Sequence, residues 1–102
     1  MVTLISVLPD AVAELAAALG SEGRTDLSTQ LGSATIDRCT FDPTVEAGYI
    51  YLVRPHYSEF AETLAFAELS LNIDVDIQAS IIGIEVLGRT DVFSLLRSAA
   101  LL

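Results

Sequence analysis

The sequence has no lysine, no tryptophan, one cysteine and one histidine. Five arginines are its only strongly basic side chains, against fourteen aspartates and glutamates, and the formal net charge is −9. Proteins bind phosphate backbones largely through basic side chains that release counterions, so this balance disfavours nucleic acid, and an anionic membrane surface for the same reason. We therefore predict no nucleic-acid and no membrane partner, whereas a basic protein partner is compatible with the charge.

The single cysteine, Cys39, excludes an intrachain disulfide and a cysteine-based zinc site, and it favours a reducing, cytoplasmic location. The opening segment 1–8 is apolar, but it lacks a basic start and is followed by Pro9, Asp10 and Glu14. It therefore predicts neither a signal peptide nor a transmembrane helix. A glycine-rich phosphate loop, a dinucleotide fingerprint and a zincin helix are also missing from the sequence.

Apolar residues make up 52% of the 102 residues, which is enough for one domain with one core. We expect a single domain over 1–102, with a helical lead segment at 1–33, a sheet at 34–88 and a C-terminal helix at 89–102. Residues 9–19 are rich in helix formers, begin at proline and stop at Gly20. A second short helix is expected from Asp26 to Leu31.

From residue 34 the hydrophobic period changes to two, which indicates strands. Strands are predicted over 34–41 and 48–54, and the clearest pair over 71–77 and 81–86. In that pair Ile73, Val75, Ile82 and Ile84 belong to the apolar face. Residues 62–68 suit either a strand or a helix. The fold class is therefore α+β, with a four- or five-stranded, mainly antiparallel sheet whose apolar face is covered by the C-terminal helix.

The C-terminal helix is predicted to start at Thr90 or Asp91 and to be apolar on nearly every side. Its expected inner stripe is Val92, Leu95, Leu96 and Ala99. A terminal helix of this kind favours coverage by a partner. We predict a homodimer joined through this helix or through an exposed sheet surface, and the candidate oligomer contacts are Phe93, Leu96, Leu101 and Leu102.

Two blocks of the sequence resemble a known bacterial family. The first is an aromatic-Asp-Pro turn followed by an acidic residue and a strand, here Phe41, Asp42, Pro43, Glu46, Tyr49, Ile50 and Leu52. The second is a strand with alternating aspartates followed by a Gly-Ile-Glu strand, here Asp74, Val75, Asp76, Gly83, Ile84, Glu85, Val86 and Leu87. Over about Ile36 to Arg89 the chain resembles the family known as domain of unknown function 2283, and the N-terminal helices lie outside the match. The resemblance implies a compact sheet with a helix and no particular reaction.

The candidate interaction face is the polar side of the sheet, formed by Tyr49, Tyr51, Asp74, Asp76 and Glu85. Tyrosines beside carboxylates are typical of recognition surfaces. Three gathered carboxylates also suit a hard cation, although calcium sites usually draw six to eight oxygens, mostly from loops. We therefore predict no metal, no cofactor and no catalytic residue.

Two further groups of residues have less support as functional sites. Cys39 and His56 are a conceivable nucleophilic pair without an orienting third residue. Arg54 and Arg89 are expected to pair with nearby acids.

The functional prediction is a non-enzymatic protein-interaction module that self-associates. One alternative is an immunity or antitoxin-like protein that binds a basic partner, which the net charge favours. The other is a small metal-dependent hydrolase that uses Asp74, Asp76 and Glu85.

Overall fold

The computed structural model describes all 102 residues and confirms the α+β fold class. Helices stand at both ends of the chain and a five-stranded antiparallel sheet lies between them. The helices are α1 (Leu4–Val7), α2 (Pro9–Ser21), α3 (Thr25–Ser33) and α4 (Thr90–Ser98). The strands are β1 (Ile36–Asp42), β2 (Ala47–Leu52), β3 (Phe60–Phe66), β4 (Leu71–Asp76) and β5 (Ile81–Leu87), with a 3₁₀ turn at Ala67–Leu69.

The strands are ordered β1-β2-β5-β4-β3, and every neighbouring pair is antiparallel. Of the segment 62–68, expected as strand or helix, residues 62–66 belong to strand β3 and residues 67–68 to the 3₁₀ turn. Strand β3 forms one edge of the sheet. Strand β1 forms the other edge. The last strand, β5, is inserted in the middle between β2 and β4.

All four helices contribute to one hydrophobic layer on a single face of the sheet. Helix α2 buries Val12, Leu15 and Leu19, and α3 buries Leu27 and Leu31. These helical side chains belong to one cluster of 21 buried apolar residues together with the inward side chains of the strands. The opposite face of the sheet is left without a covering layer.

The N-terminal helices agree with their predicted positions, with small differences in length. Helix α2 has Pro9 in its first turn, as expected, and continues past Gly20 to Ser21. Helix α1 was not predicted, because its four residues are too few to show a helical period. None of the helices is long and apolar enough to span a bilayer.

Strand β5 differs from the prediction in which isoleucine faces the core. The pairing with β4 shifts between Asp74 and Val75, so that Asp74 opposes Gly83 while Val75 opposes Ile81. This β-bulge turns Ile81 into the core, where it is 4% exposed, and leaves Ile82 half-buried. The expected placement of Ile82 in the core was therefore wrong.

Helix α4 is shorter and more one-sided than predicted. It buries Val92, Phe93 and Leu96, whereas Leu95, expected in the inner stripe, is 45% exposed. Ala99, also expected there, lies beyond the helix and is exposed. The helix is therefore amphipathic, and the side chains of its buried stripe belong to the protein's own core.

The position of α4 corrects two of the predicted oligomer contacts. The ring of Phe93 lies 4.5 Å from the ring of Phe41 and packs over the backbone of Gly48. Phe93 and Leu96 are only 2% and 1% exposed, so they are part of the protein's own core and do not face a partner. Of the other two, Leu101 is half-buried and Leu102 is exposed.

Candidate interaction surface

The uncovered face of the sheet brings together four of the five predicted interaction residues. Tyr49 opposes Glu85 in the β2–β5 ladder, and Tyr51 opposes Gly83, which in turn opposes Asp74 on β4. The rings of Tyr49 and Tyr51 are tilted against each other, with centroids 4.6 Å apart. We call this group, Tyr49, Tyr51, Asp74 and Glu85, the tyrosine face.

Tyr49 is held across the face by a hydrogen bond to Asp74. Its hydroxyl donates to Asp74 Oδ2 at 2.7 Å, and Thr63 donates to Oδ1 of the same carboxylate at 2.6 Å. Burial, and then the bond to Asp74, raise the pKa of the Tyr49 hydroxyl above its usual value. The phenol therefore stays protonated and keeps its role as a donor at neutral pH.

Gly83 provides the space that Tyr49 occupies. A Cβ atom at Gly83 would stand 2.3 Å from Cε1 of Tyr49 and 2.5 Å from the carbonyl oxygen of Ile50. A side chain at this position therefore requires both the ring and the backbone of β2 to move. Glycine in the middle of a strand is otherwise unfavourable, so close packing accounts for its presence.

The remaining groups of the tyrosine face are also partnered. The guanidinium of Arg38 on β1 lies 3.8 Å from the centroid of the Tyr51 ring, which is a cation–π contact. Asn72 donates a hydrogen bond to Glu85 Oε1 at 2.7 Å. The face is therefore an ordered layer of side chains that bind one another.

Asp76, the fifth predicted residue, does not belong to this surface. The residue is 2% exposed. Its Oδ1 accepts hydrogen bonds from the backbone N–H groups of Gln78 and Ser80, and its Oδ2 lies 3.2 Å from Nη1 of Arg54. Burial raises the pKa of this carboxyl, but the two N–H bonds and Arg54 outweigh burial and hold the pKa below its usual value. Asp76 therefore organises the β4–β5 turn, which contains no glycine and places Ala79 at φ 59°.

The three carboxylates proposed for a cation do not converge. Asp74 is bound by two hydroxyls, Glu85 by an amide, and Asp76 by its turn and Arg54. No three His, Cys, Asp or Glu side chains in the chain are grouped closely enough to hold a metal ion. The arrangement offers no preformed carboxylate cage.

Cys39 and His56 are not paired either. Cys39 opposes the buried Ile50, and burial raises the pKa of its thiol to about 11, so it carries little thiolate at neutral pH. His56 is exposed, and its Nε2 meets the side-chain amide oxygen of Gln78. These surroundings suit neither a nucleophile nor its base.

The expected ion pairs of two arginines are confirmed. Arg54 binds Asp76, and Arg89 binds Glu14 at 3.0 Å and Asp91 at 2.7 Å. Arg89 thereby ties α2 to the start of α4.

One feature next to the tyrosine face was not predicted. An open groove of about 360 Å³ lies at the end of β2, with Tyr51, Arg54, Tyr57 and Ile82 among its lining residues. Tyr57 is 85% exposed. The only sequence signal for the groove is Tyr57, an aromatic residue in the connection that follows β2. Hydrophobic periodicity predicts helices and strands, and it carries no information on the conformation of a connection without regular structure.

Comparisons of the chain with protein-family models, with curated proteins and with solved structures found no match. The resemblance to the domain of unknown function 2283 therefore stays a prediction.

Proposed function

We propose that the protein is a non-enzymatic interaction module that forms a homodimer through its exposed sheet surface. The observation that carries this proposal is the sheet with helices on one face only, whose other face presents two ordered tyrosines. A cytoplasmic location is part of the proposal, since the lone Cys39 suits a reducing compartment.

The order of the tyrosine face supports a role in binding. Immobilising a flexible side chain on association costs about 0.5–1.5 kcal/mol, and this cost is already met where Tyr49 is bound to Asp74 and Tyr51 is covered by Arg38. Tyrosine also offers a large apolar area with a polar tip, which is why it is enriched at protein interfaces.

The same contacts argue against catalysis at this surface. A catalytic site needs polar groups that converge on a reacting atom. Here the carboxylates of Asp74 and Glu85 bind neighbouring side chains of the sheet. The metal-dependent hydrolase considered from the sequence has no structural observation in its favour, and we do not propose it.

The test is the mass of the protein in solution at micromolar and higher concentrations, by sedimentation velocity and light scattering. We expect twice the mass of the 10.9 kDa chain. Tyr51→Ala should shift the protein towards monomer, and Ile5→Ala should not, because Ile5 is an exposed apolar residue on the helical layer. A wild-type protein that stays monomeric throughout this range refutes the proposal.

A second candidate function, binding of a basic protein in the manner of an immunity protein or antitoxin, is favoured by a separate observation. Asp10, Glu22 and Asp26 on the helical layer are exposed and form no ion pair. Acidic side chains of this kind speed encounter with a cationic partner and make binding sensitive to salt.

A further inference from the structure

Strand β1 leaves five consecutive residues, 38–42, with a free backbone edge. They pair regularly with β2 on one side. On the other side the N-terminal segment covers only the start of the strand, where the N–H of Ile36 binds the carbonyl of Val2 and Thr3 bridges Thr35. An uncovered edge of this kind is a template for pairing with another strand. We call residues 38–42 the β1 edge.

The two arginines that form no ion pair both lie beside the β1 edge. Arg24, Arg54 and Arg89 are held in ion pairs with acids of the same chain. The other two arginines, Arg38 and Arg97, are in none of these pairs. Arg38 stacks on Tyr51 on the outer side of the sheet, and Arg97 lies 5.0 Å from the centroid of Phe41 on the inner side. The protein is strongly acidic overall, yet two arginines without an acidic partner lie beside strand β1.

The sequence of the β1 edge, Arg-Cys-Thr-Phe-Asp, is complementary to itself in antiparallel register. With Thr40 at a twofold axis, Arg38 opposes Asp42 of the second copy, and Asp42 opposes Arg38 of that copy. Both residues lie on the outer side of the sheet, since they oppose Tyr51 and Ala47 of β2. The hydroxyl and N–H of Thr44 hold the pKa of Asp42 below its usual value, which keeps it ionised.

We infer that the protein dimerises by antiparallel pairing of its β1 edge with the β1 edge of a second copy, with two Arg38–Asp42 pairs across the twofold axis. The inference rests on the proposed homodimer and places the contact at the edge of the exposed sheet surface, where Arg38 borders the tyrosine face through its contact with Tyr51. Two five-stranded sheets then join into one of ten strands. Opposite-charge pairs directly across two strands stabilise the pairing, and like charges there destabilise it.

The other free edge, β3, suits a second copy less well. Its only charged residue is Glu62, which is paired with Arg24, and Glu59 and Glu68 flank the strand. Antiparallel pairing of two β3 strands around their middle brings Glu59 close to Glu68 of the second copy. In molecules of net charge −9 this adds repulsion. Pairing of β1 with β3 of another copy is heterologous and leads to open chains of molecules.

Charge exchange at the β1 edge tests the inference. Arg38→Asp alone and Asp42→Arg alone each place like charges opposite one another twice, so each should weaken dimerisation about tenfold or more. An equimolar mixture of the two variants restores both pairs and should form a heterodimer, measured by sedimentation velocity. Glu62→Arg on β3 is the matched control, because it changes the net charge as much as Asp42→Arg and should leave the dimer intact. Circular dichroism of each variant verifies folding.

Cysteine cross-linking provides a second readout of the register. Directly opposed residues of antiparallel strands have Cα atoms about 4.5–5.5 Å apart, a distance that a disulfide can bridge. In a Cys39→Ala background, Thr40→Cys should form a disulfide-linked dimer on mild oxidation. Thr63→Cys, the equivalent exposed threonine on the other edge, should not.

The outcomes separate the two proposals. A monomeric wild-type protein refutes the homodimer and this inference together. A wild-type dimer that both charge variants retain, or that cross-links through Thr63→Cys and not through Thr40→Cys, refutes the β1 pairing and leaves the homodimer standing. Two monomeric variants whose mixture does not associate refute the register.

Discussion

Among individual residues, Asp74 and Asp76 show what the alternation of side chains along a strand predicts and what it misses. They lie two positions apart on β4, and alternation predicts the same role for both. Asp74 indeed lies on the outer face, where Tyr49 and Thr63 bind it. Asp76 stands where the strand ends, and its carboxylate turns back to bind N–H groups of the turn. Alternation predicts the side of the sheet, but it carries no information on the chain reversal that follows.

Replacing Asp76 by asparagine tests its structural role. Asp76→Asn leaves the mostly buried Arg54 without its anion, and the loss of one partner of a buried pair costs about 3 kcal/mol of unfolding free energy. Asp74→Asn, the matched change on the outer face, should cost about 1 kcal/mol, since it weakens hydrogen bonds between partly exposed groups. Urea denaturation at neutral pH measures both. Equal costs for the two variants would contradict the distinction.

The dependence of folding stability on pH should also reflect the role of Asp76. The folded state lowers the pKa of Asp76, so the unfolded chain takes up its proton first as the pH falls. The stabilisation is complete above about pH 4, the usual range of an unfolded aspartate, and is lost as the pH drops through the lower folded value. In Asp76→Asn this part of the acid-induced loss should be missing. Urea midpoints in a pH series from neutral to acid measure the difference.

Gly83 is a position where one added carbon has a large expected effect. Gly83→Ala places a methyl group against the Tyr49 ring and the Ile50 carbonyl, and overpacking of this kind costs about 1–3 kcal/mol. Gly32→Ala is the control, because its added methyl in α3 meets open space and should stabilise by about 0.5–1 kcal/mol. Urea denaturation compares the two variants. A neutral Gly83→Ala would show that Tyr49 does not lie across this glycine.

At the scale of helices and strands, periodicity located most elements and misassigned details within two of them. Helix α2, β4 and β5 have hydrophobic patterns long enough to be predicted. The bulge opposite Val75 that turns Ile81 inward follows from the register between two strands, which a single strand's sequence does not contain. In α4 the inner residue is Phe93 rather than Leu95, and its ring packs against Phe41 and over Gly48, a contact between distant residues that the helix's own sequence does not show.

Two positions of α4 test which side of the helix faces the core. Phe93→Ala removes a ring that is 2% exposed and should cost about 3–5 kcal/mol. Leu95→Ala changes a side chain that is 45% exposed and should alter stability by less than about 0.5 kcal/mol. Thermal or urea unfolding measures both. A larger loss for Leu95→Ala would restore the inner stripe expected from the sequence.

For the molecule as a whole, the sequence predicted the fold class and much of the candidate surface. Four of the five predicted interaction residues share the uncovered face, since a period of two places Tyr49 and Tyr51 together. The β1 edge, by contrast, depends on strand order, because only the order of the sheet tells which strand has a free side. The groove beside Tyr57 depends on a connection without regular structure.

The net charge leads to a prediction for the molecule as a whole. The direction in which salt changes association differs between the two candidate functions. Two copies of charge −9 repel each other, and salt screens this repulsion, so self-association should strengthen between low and physiological ionic strength. Binding of a basic protein should weaken over the same range. Sedimentation equilibrium at several salt concentrations measures the first effect. A homodimer that dissociates steeply as salt rises would show that its two Arg38–Asp42 pairs outweigh the repulsion between the copies.

The central position of β5 also has a consequence for biosynthesis. Strand β2 leaves the ribosome early, yet its inner neighbour is the last strand to be made. In the hairpin of β1 and β2, the side of β2 that will bind β5 therefore has no strand to pair with while β3, β4 and β5 are translated. Such long-range pairing raises contact order and slows folding. Completion of the sheet is expected only late in synthesis, and nascent chains that stop before β5 should be the form most prone to aggregate.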